Sequence, residues 1–204
     1  MPTKRKRIGI LGGTFNPIHL GHLLIAQDAM EQLVLDHVKF IPSATPPHKT
    51  TEALASERDR LQMIRLAIHG NNRFEVDDIE IQRGGTSYTV DTLMELRRCE
   101  PKASFFFIIG ADSLAELHLW RQAQRIVHLC TFVTVPRPGF ETRPSIDPRL
   151  DSASRKRLRQ HVLRGHACEI ASREIRSRVA SGRSIRYLVP DAVTEYIRRR
   201  RLYQ

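Results

Sequence analysis

The sequence predicts a doubly wound, mostly parallel α/β sheet with helices on both faces, on three observations. Phe105-Phe-Phe-Ile-Ile109 is an unbroken apolar run, as a central parallel strand covered on both sides requires. Ile8–Leu11 is a second short apolar run, which breaks at Gly12-Gly13 and passes into a helical pattern from Leu20. Short apolar runs alternate with helical periodicities along the chain, with no internal repeat and no Gly/Ser linker. The 204 residues are therefore expected to form one domain, 1–204, with a small C-terminal helical part over about 170–204.

In chain order, Lys6–Leu11 reads as a buried strand. Leu23, Leu24, Ala26, Ala29, Met30 and Leu33 then set out an amphipathic helix from Leu20 to about Leu35. Val38–Ile41 is a strand stopped by Pro42, and the prolines of 42–49 require a loop. Glu57–His69 is a helix ended by Gly70. Phe74–Ile81 alternates apolar and acidic residues, which suggests one sheet-edge strand or two short ones. A loop at 83–88 leads to a helix from Val90 to about Arg98. Gly110-Ala-Asp-Ser113 follows the Phe105–Ile109 strand and opens a short helix. Thr131–Val135 is a further strand. The pattern weakens over 140–163, where a basic helix is possible and a subdomain boundary or mobile segment would fit. Ala167–Ile170 reads as a last strand, and Ser172–Ala180 and Asp191–Arg200 as helices.

The formal charge of +11 favours anionic ligands, yet the basic clusters lie at the termini and on polar helix faces, where solvation alone explains them. The runs at 4–7 and 198–201 carry no interleaved aromatic residues, so no stable nucleic-acid partner is expected. Cys99, Cys130 and Cys168 have no metal-ligand spacing. No export signal or membrane-length apolar stretch is present, which fits a cytoplasmic protein. Monomer and homodimer both remain open.

The chemistry concentrates at Gly12-Gly-Thr-Phe-Asn-Pro-x-His-x-Gly-His22. This loop is neither GxxxxGK[ST] nor GxGxxG, so the lysine of a P-loop and the dinucleotide fingerprint are both absent. Instead, His19 and His22 stand three apart at the start of a helix, beside glycine amides. Such a pair makes an electrophilic clamp for charge on a transferring phosphoryl group. Gly21, lacking a side chain, would admit a ligand close to the backbone.

This stretch resembles the signature of the HxGH nucleotidylyltransferase superfamily. Pro46-Pro-His-Lys49, Ser87-Tyr-Thr-x-Asp-Thr92, Gly110-Ala-Asp112, Trp120, Arg137-Pro-Gly139, Ile170-x-Ser-x-x-Ile-Arg176 and Gly182–Pro190 narrow the resemblance to the nicotinate-nucleotide adenylyltransferases. It spans nearly the whole chain. It implies a Rossmann-like fold and transfer of the adenylyl group of ATP to nicotinate mononucleotide, giving deamido-NAD and pyrophosphate. A sibling using nicotinamide mononucleotide or another acceptor phosphate is the alternative. The acceptor's phosphate is already a nucleophile, so direct in-line displacement needs no serine, cysteine or strong base, and Mg²⁺ is expected to bridge phosphate oxygens.

By the same resemblance, Gly12, Gly13, Thr14, Phe15, His19, His22, Gly110, Asp112, Ile170, Ser172 and Arg176 belong to the ATP site. Asn16, His48, Lys49, Ser87, Tyr88, Thr89 and Trp120 belong to the mononucleotide site, and His19, His22, Lys49 and Arg176 to the catalytic set. The residues alone leave plainer roles open. Ser172 could be an N-cap, Arg176 a surface arginine, His48 and Lys49 incidental loop charges, and Trp120 a core residue. The chain departs from the family pattern at Ala171, Arg173, His118 and Arg121.

Overall fold

The computed structural model describes residues 5–45, 54–136, 146, 150–166 and 168–204. His48, Lys49 and the Arg137–Gly139 motif lie outside the described residues. Five strands, β1 (Arg7–Gly13), β2 (His37–Pro42), β3 (Phe74–Val76), β4 (Ser104–Gly110) and β5 (Thr131–Val135), form one sheet in the order β3-β2-β1-β4-β5. Every pairing is parallel. Helices α1 (Leu20–Gln32), α2 (Glu57–Ile68), α3 (Ile79–Arg83), α4 (Thr89–Cys99), α5 (Ala111–Ala115), α6 (Ala123–Leu129), α7 (Ser152–Leu158), α8 (Ser172–Ala180) and α9 (Asp191–Arg200) connect and cover it. This is a Rossmann-like arrangement. Among the described residues no helix is long and apolar enough to cross a membrane.

Strand β4 shows why its sequence is apolar throughout. Phe106 and Ile108 enter one buried cluster with Ala26, Met30, Val38, Phe40 and Ile64, while Phe105, Phe107 and Ile109 enter another with Ile10, Leu93, Ile126 and Phe132. Both faces of the sheet are thus covered, and each such side chain contributes about 1.5–3 kcal/mol by burial. Strand order reverses between β1 and β4. The carboxyl ends of these two strands, at Gly13 and Gly110, therefore open the crevice where ligands bind in such sheets.

Two expectations are corrected, and one helix is added. Ile79–Ile81 is the start of α3 rather than strand, because Asp77 Oδ1 accepts the Ile79 N–H at 3.2 Å and turns the chain into a helix. Three alternating residues carry too little periodicity to separate the two forms. The region 168–170 is irregular, and the edge of β5 is instead met at Thr134, whose N–H donates to His161 O and whose carbonyl accepts from Leu163 N–H. Helix α6, unforeseen in the sequence, follows the left-handed residue Gln122 (φ 56°).

The acidic residues after β2 have a structural use. Lys39 is 7 % exposed in mid-strand, and its Nζ meets Asp77 at 2.9 Å, Glu75 at 3.2 Å and Glu100 at 3.2 Å. Burial works against its charge, but these carboxylates outweigh it and raise the ammonium above its usual value.

Beside the crevice, Arg60 of α2 has no exposed surface. Its guanidinium donates to Ala55 O at 3.2 Å, Thr14 O at 3.0 Å, Ser43 O at 2.6 Å and Ala44 O at 3.2 Å. It thereby ties the ends of β1 and β2 to the root of α2. An Arg60→Ala protein leaves these carbonyls without their donor and should lose about 3 kcal/mol or more. That corresponds to a fall in Tm of roughly 6–12 °C in a thermal melt. An unchanged Tm would show that the guanidinium does not hold the junction.

Candidate active site

The crevice is a cleft of about 530 Å³, within the range that holds a small ligand. One wall is the end of β1 and the start of α1. Gly12, Gly13 and Thr14 line it, together with His22. His19 is the N-cap of α1 in extended conformation, and its backbone N–H donates to Nδ1 of His22 at 3.2 Å. With Nδ1 accepting, the ring proton of His22 is placed on Nε2. The two imidazoles stack with centroids 3.7 Å apart and 31° between planes.

His22 is therefore the cleft-wall imidazole, and His19, 7 % exposed, stands behind it. Gly21 is explained by that packing rather than by a ligand. A Cβ there would come within 3.0 Å of His19 Nδ1 and 3.1 Å of Cys168 Sγ. Phe15, at φ 48°, is buried and presents its ring edge-on to His22 with centroids 5.0 Å apart. It stiffens the histidine from outside the cleft lining.

Asn16 is also buried. Its Oδ1 accepts from Ala55 N–H at 3.1 Å and from Tyr203 O–H at 2.7 Å. Ser172 donates to Pro17 O at 2.8 Å, and Arg176 donates to Asn16 O at 2.8 Å. Ile170 packs against the same core cluster. The C-terminal part thus braces the β1–α1 turn from behind, and Ile170, Ser172 and Arg176 do not line the described cleft.

On the β4 side, Gly110 and Ser113 line the cleft, while Asp112 sits half-buried between them in the first turn of α5. The far end is built by α4. Ser87, Tyr88 and Thr89 line it, with Tyr88 as N-cap and Thr89 as the first helical residue. Trp120 faces the same space and packs against the second core cluster, with its ring 6.1 Å from Phe107 at 85°. It is at once a core and a cleft residue.

The sequence offered no sign of Glu80, which lies among the acidic positions of the misread strand. It is 8 % exposed and lines the cleft. Thr92 O–H donates to its Oε1 at 2.6 Å and itself accepts from Arg83 at 2.9 Å. Ser87 Oγ accepts the Ala44 N–H at 2.9 Å, and its own hydroxyl bonds Glu80. Burial raises the Glu80 pKa, against the hydroxyls of Thr92 and Ser87 and the charge of Arg83. Ser43, Phe107, Glu116 and Arg121 are further lining residues that the sequence reading did not place in the site.

The chain matches the cytidylyltransferase-like family over residues 10–186. A protein of Citrifermentans bemidjiense named as a probable nicotinate-nucleotide adenylyltransferase is 46 % identical over 212 aligned residues, covering 97 % of this chain and 98 % of its own. One of the same name from Desulfitobacterium hafniense is 43 % identical, covering 98 % and 96 %. The chain belongs to the nicotinate-nucleotide adenylyltransferase family. A solved Plasmodium falciparum nicotinic acid mononucleotide adenylyltransferase, complexed with NaAD, has the same fold. It superposes with a TM-score of 0.78 at 20 % identity, covering 98 % of each chain.

The buried carboxyl makes a pH-dependent prediction. With its pKa raised above the ordinary value of 4.5, Glu80 binds its proton more tightly in the folded state than in the unfolded chain, so its contribution to stability falls as pH rises. Glu80→Gln removes that penalty. Denaturant unfolding should find the variant more favoured relative to the parent at about pH 7 than at about pH 4. An equal difference at both pH values would refute the upward shift of Glu80.

Proposed function

We infer that this protein transfers the adenylyl group of ATP to nicotinate mononucleotide, in NAD biosynthesis, by direct in-line displacement. The observation that carries the reading is a cleft with the end of β1 and the start of α1 on one side and the start of α4 on the other. On the first side, Gly12, Gly13 and Thr14 after β1 and His22 in the first turn of α1 offer amides, a hydroxyl and an imidazole N–H to phosphates. On the other, Thr89 and Trp120 offer a backbone donor and a flat aromatic surface to a carboxylated pyridine.

A phosphate oxygen of the mononucleotide attacks Pα of ATP. The bond from Pα to the oxygen bridging the β-phosphate breaks, and pyrophosphate leaves with that electron pair. The nucleophile is already an anion, so the protein's work is alignment and charge stabilisation. His22 donates from Nε2 to the charge that develops, and His19 holds that ring by stacking. Ser172, Arg176 and Asn16 keep the β1–α1 turn in place, and we assign His48 and Lys49 to the mononucleotide and the neighbouring phosphates. The Mg²⁺ we propose would enter with ATP and would supply charge neutralisation of the phosphates. We place the enzyme in the cytoplasm, where its free thiols Cys99, Cys130 and Cys168 stay reduced, and read the chain as one domain.

Pyrophosphate release by purified protein with ATP, compared between the acid and amide mononucleotides, tests the reading. The acid should be the better acceptor, and equal or better use of the amide would overturn it. His22→Ala should lower kcat by about 10²–10³ without loss of Tm, the scale of one charge-stabilising donor. Normal turnover would remove His22 from the mechanism.

A further inference from the structure

Arg121 is the arginine among the cleft-lining residues. It follows Trp120 directly and lines the same end of the cleft as Tyr88 and Thr89. Its guanidinium lies over the Tyr88 ring, 4.8 Å from the centroid. Nη1 reaches Asp91 Oδ2 at 3.4 Å, with the two side chains 51 % and 38 % exposed. A single long contact between exposed groups adds little to stability. A cation resting on an aromatic face is, however, held in place without using up its N–H donors.

Its position decides what those donors can meet. Tyr88 is the N-cap of α4, Thr89 its first residue and Asp91 lies in its first turn. Arg121 therefore stands over the N-terminal end of α4, where the helix already favours an anion. The end of the cleft assigned to the phosphates, at Gly13, Thr14 and His22, is built instead by the end of β1 and the first turn of α1. The surrounding charges do not duplicate the role. Asp91 orients the guanidinium, Glu116 and Glu80 are acidic, and Arg83 is engaged by Glu95 at 3.1 Å and by Thr92.

We propose that Arg121 is a specificity-determining residue, whose guanidinium selects an acceptor bearing a carboxylate on its ring over the neutral amide. The planar fork of arginine matches a carboxylate in two-point geometry, and an amide offers neither the charge nor two acceptor oxygens. The proposal rests on the acceptor reading above. It adds a side-chain charge to the backbone donors of α4 as the source of acid preference.

The test is kcat/KM for both mononucleotides with ATP, for the parent protein, Arg121→Gln and Arg121→Lys. Arg121→Gln should lower the value for the acid about tenfold, mostly through KM, the scale of one solvent-accessible charge-assisted contact. The value for the amide should move less than about twofold, and KM for ATP should not change. Arg121→Lys should recover part of the loss. Raising salt should narrow the acid preference of the parent more than that of Arg121→Gln. Equal losses for acid and amide would make Arg121 a contact to the shared phosphate or ribose, and no loss would make it a bystander. Either result overturns the inference while the acceptor reading stands. A parent protein that uses neither mononucleotide, or both equally, overturns the acceptor reading itself.

Discussion

A buried guanidinium bonded to backbone carbonyls is the constraint on which the cleft depends. Taking an arginine fully out of water costs several kcal/mol, and Arg60 offsets that cost with four carbonyl acceptors rather than a carboxylate. The acceptors come from three segments: Thr14 after β1, Ser43 and Ala44 after β2, and Ala55 before α2. Thr14 and Ser43 line the cleft, and Ala44 donates to Ser87, which lines its other end. One side chain thus sets the separation between the phosphate-facing turn and the loop before α4. Rigid placement matters here, because a reaction with no covalent intermediate relies on alignment.

The second brace comes from far along the chain. Asp59, next to Arg60, accepts from Tyr196 O–H at 2.8 Å and from Arg200 at 3.3 Å, and Tyr203 closes on Asn16. Burial opposes the Asp59 charge, but the Ser56, Tyr196 and Arg200 donors hold its carboxyl below the usual carboxylate range. Helix α9 is therefore fastened to α2 by a charged network and to the β1–α1 turn by a tyrosine. With Ser172 and Arg176 on the same turn, the C-terminal helices support the histidine pair from behind. In this arrangement His19 is a packing partner with functional consequences: its ring fixes His22, and Gly21 exists to make room for it.

How much of this is legible without coordinates depends on the range of the interaction. Strands β4 and β5 and helices α8 and α9 are local matters of apolar run and period, and they appear where the sequence puts them. The Gly-Gly turn and HxGH pair announce a phosphate corner because glycine and histidine are informative at a strand–helix junction. Arg60 and Glu80 carry no such mark. An arginine in an amphipathic helix ordinarily faces solvent, and only a contact across 46 residues to Thr14 shows otherwise. Asn16 meets Tyr203 across 187 residues. The strand expected at Ala167–Ile170 is absent over the described residues 168–170 for the opposite reason. Cys168 and Ile170 around Glu169 gave an apolar alternation, but the edge of β5 is already met by His161 and Leu163.

The excess of positive charge takes on a different meaning in this light. Arg7 donates to Leu33 O at the end of α1, Arg97 to Leu129 O at the end of α6, and Arg178 to Ser184 O. Arg73 donates to Asp36 O, Arg176 to Asn16 O, and Arg60 to its four carbonyls. Carbonyls at helix ends and after turns are left without backbone partners and carry partial negative charge, and a guanidinium can place two N–H donors on one of them, as Arg7 and Arg97 do. Lysine, with one compact ammonium, does this less well. Six arginines are thereby held against backbone carbonyls, which fixes where their charge sits without reducing the formal +11. Arg121, over Tyr88 at the mouth of α4, is the cleft-lining arginine that departs from this arrangement.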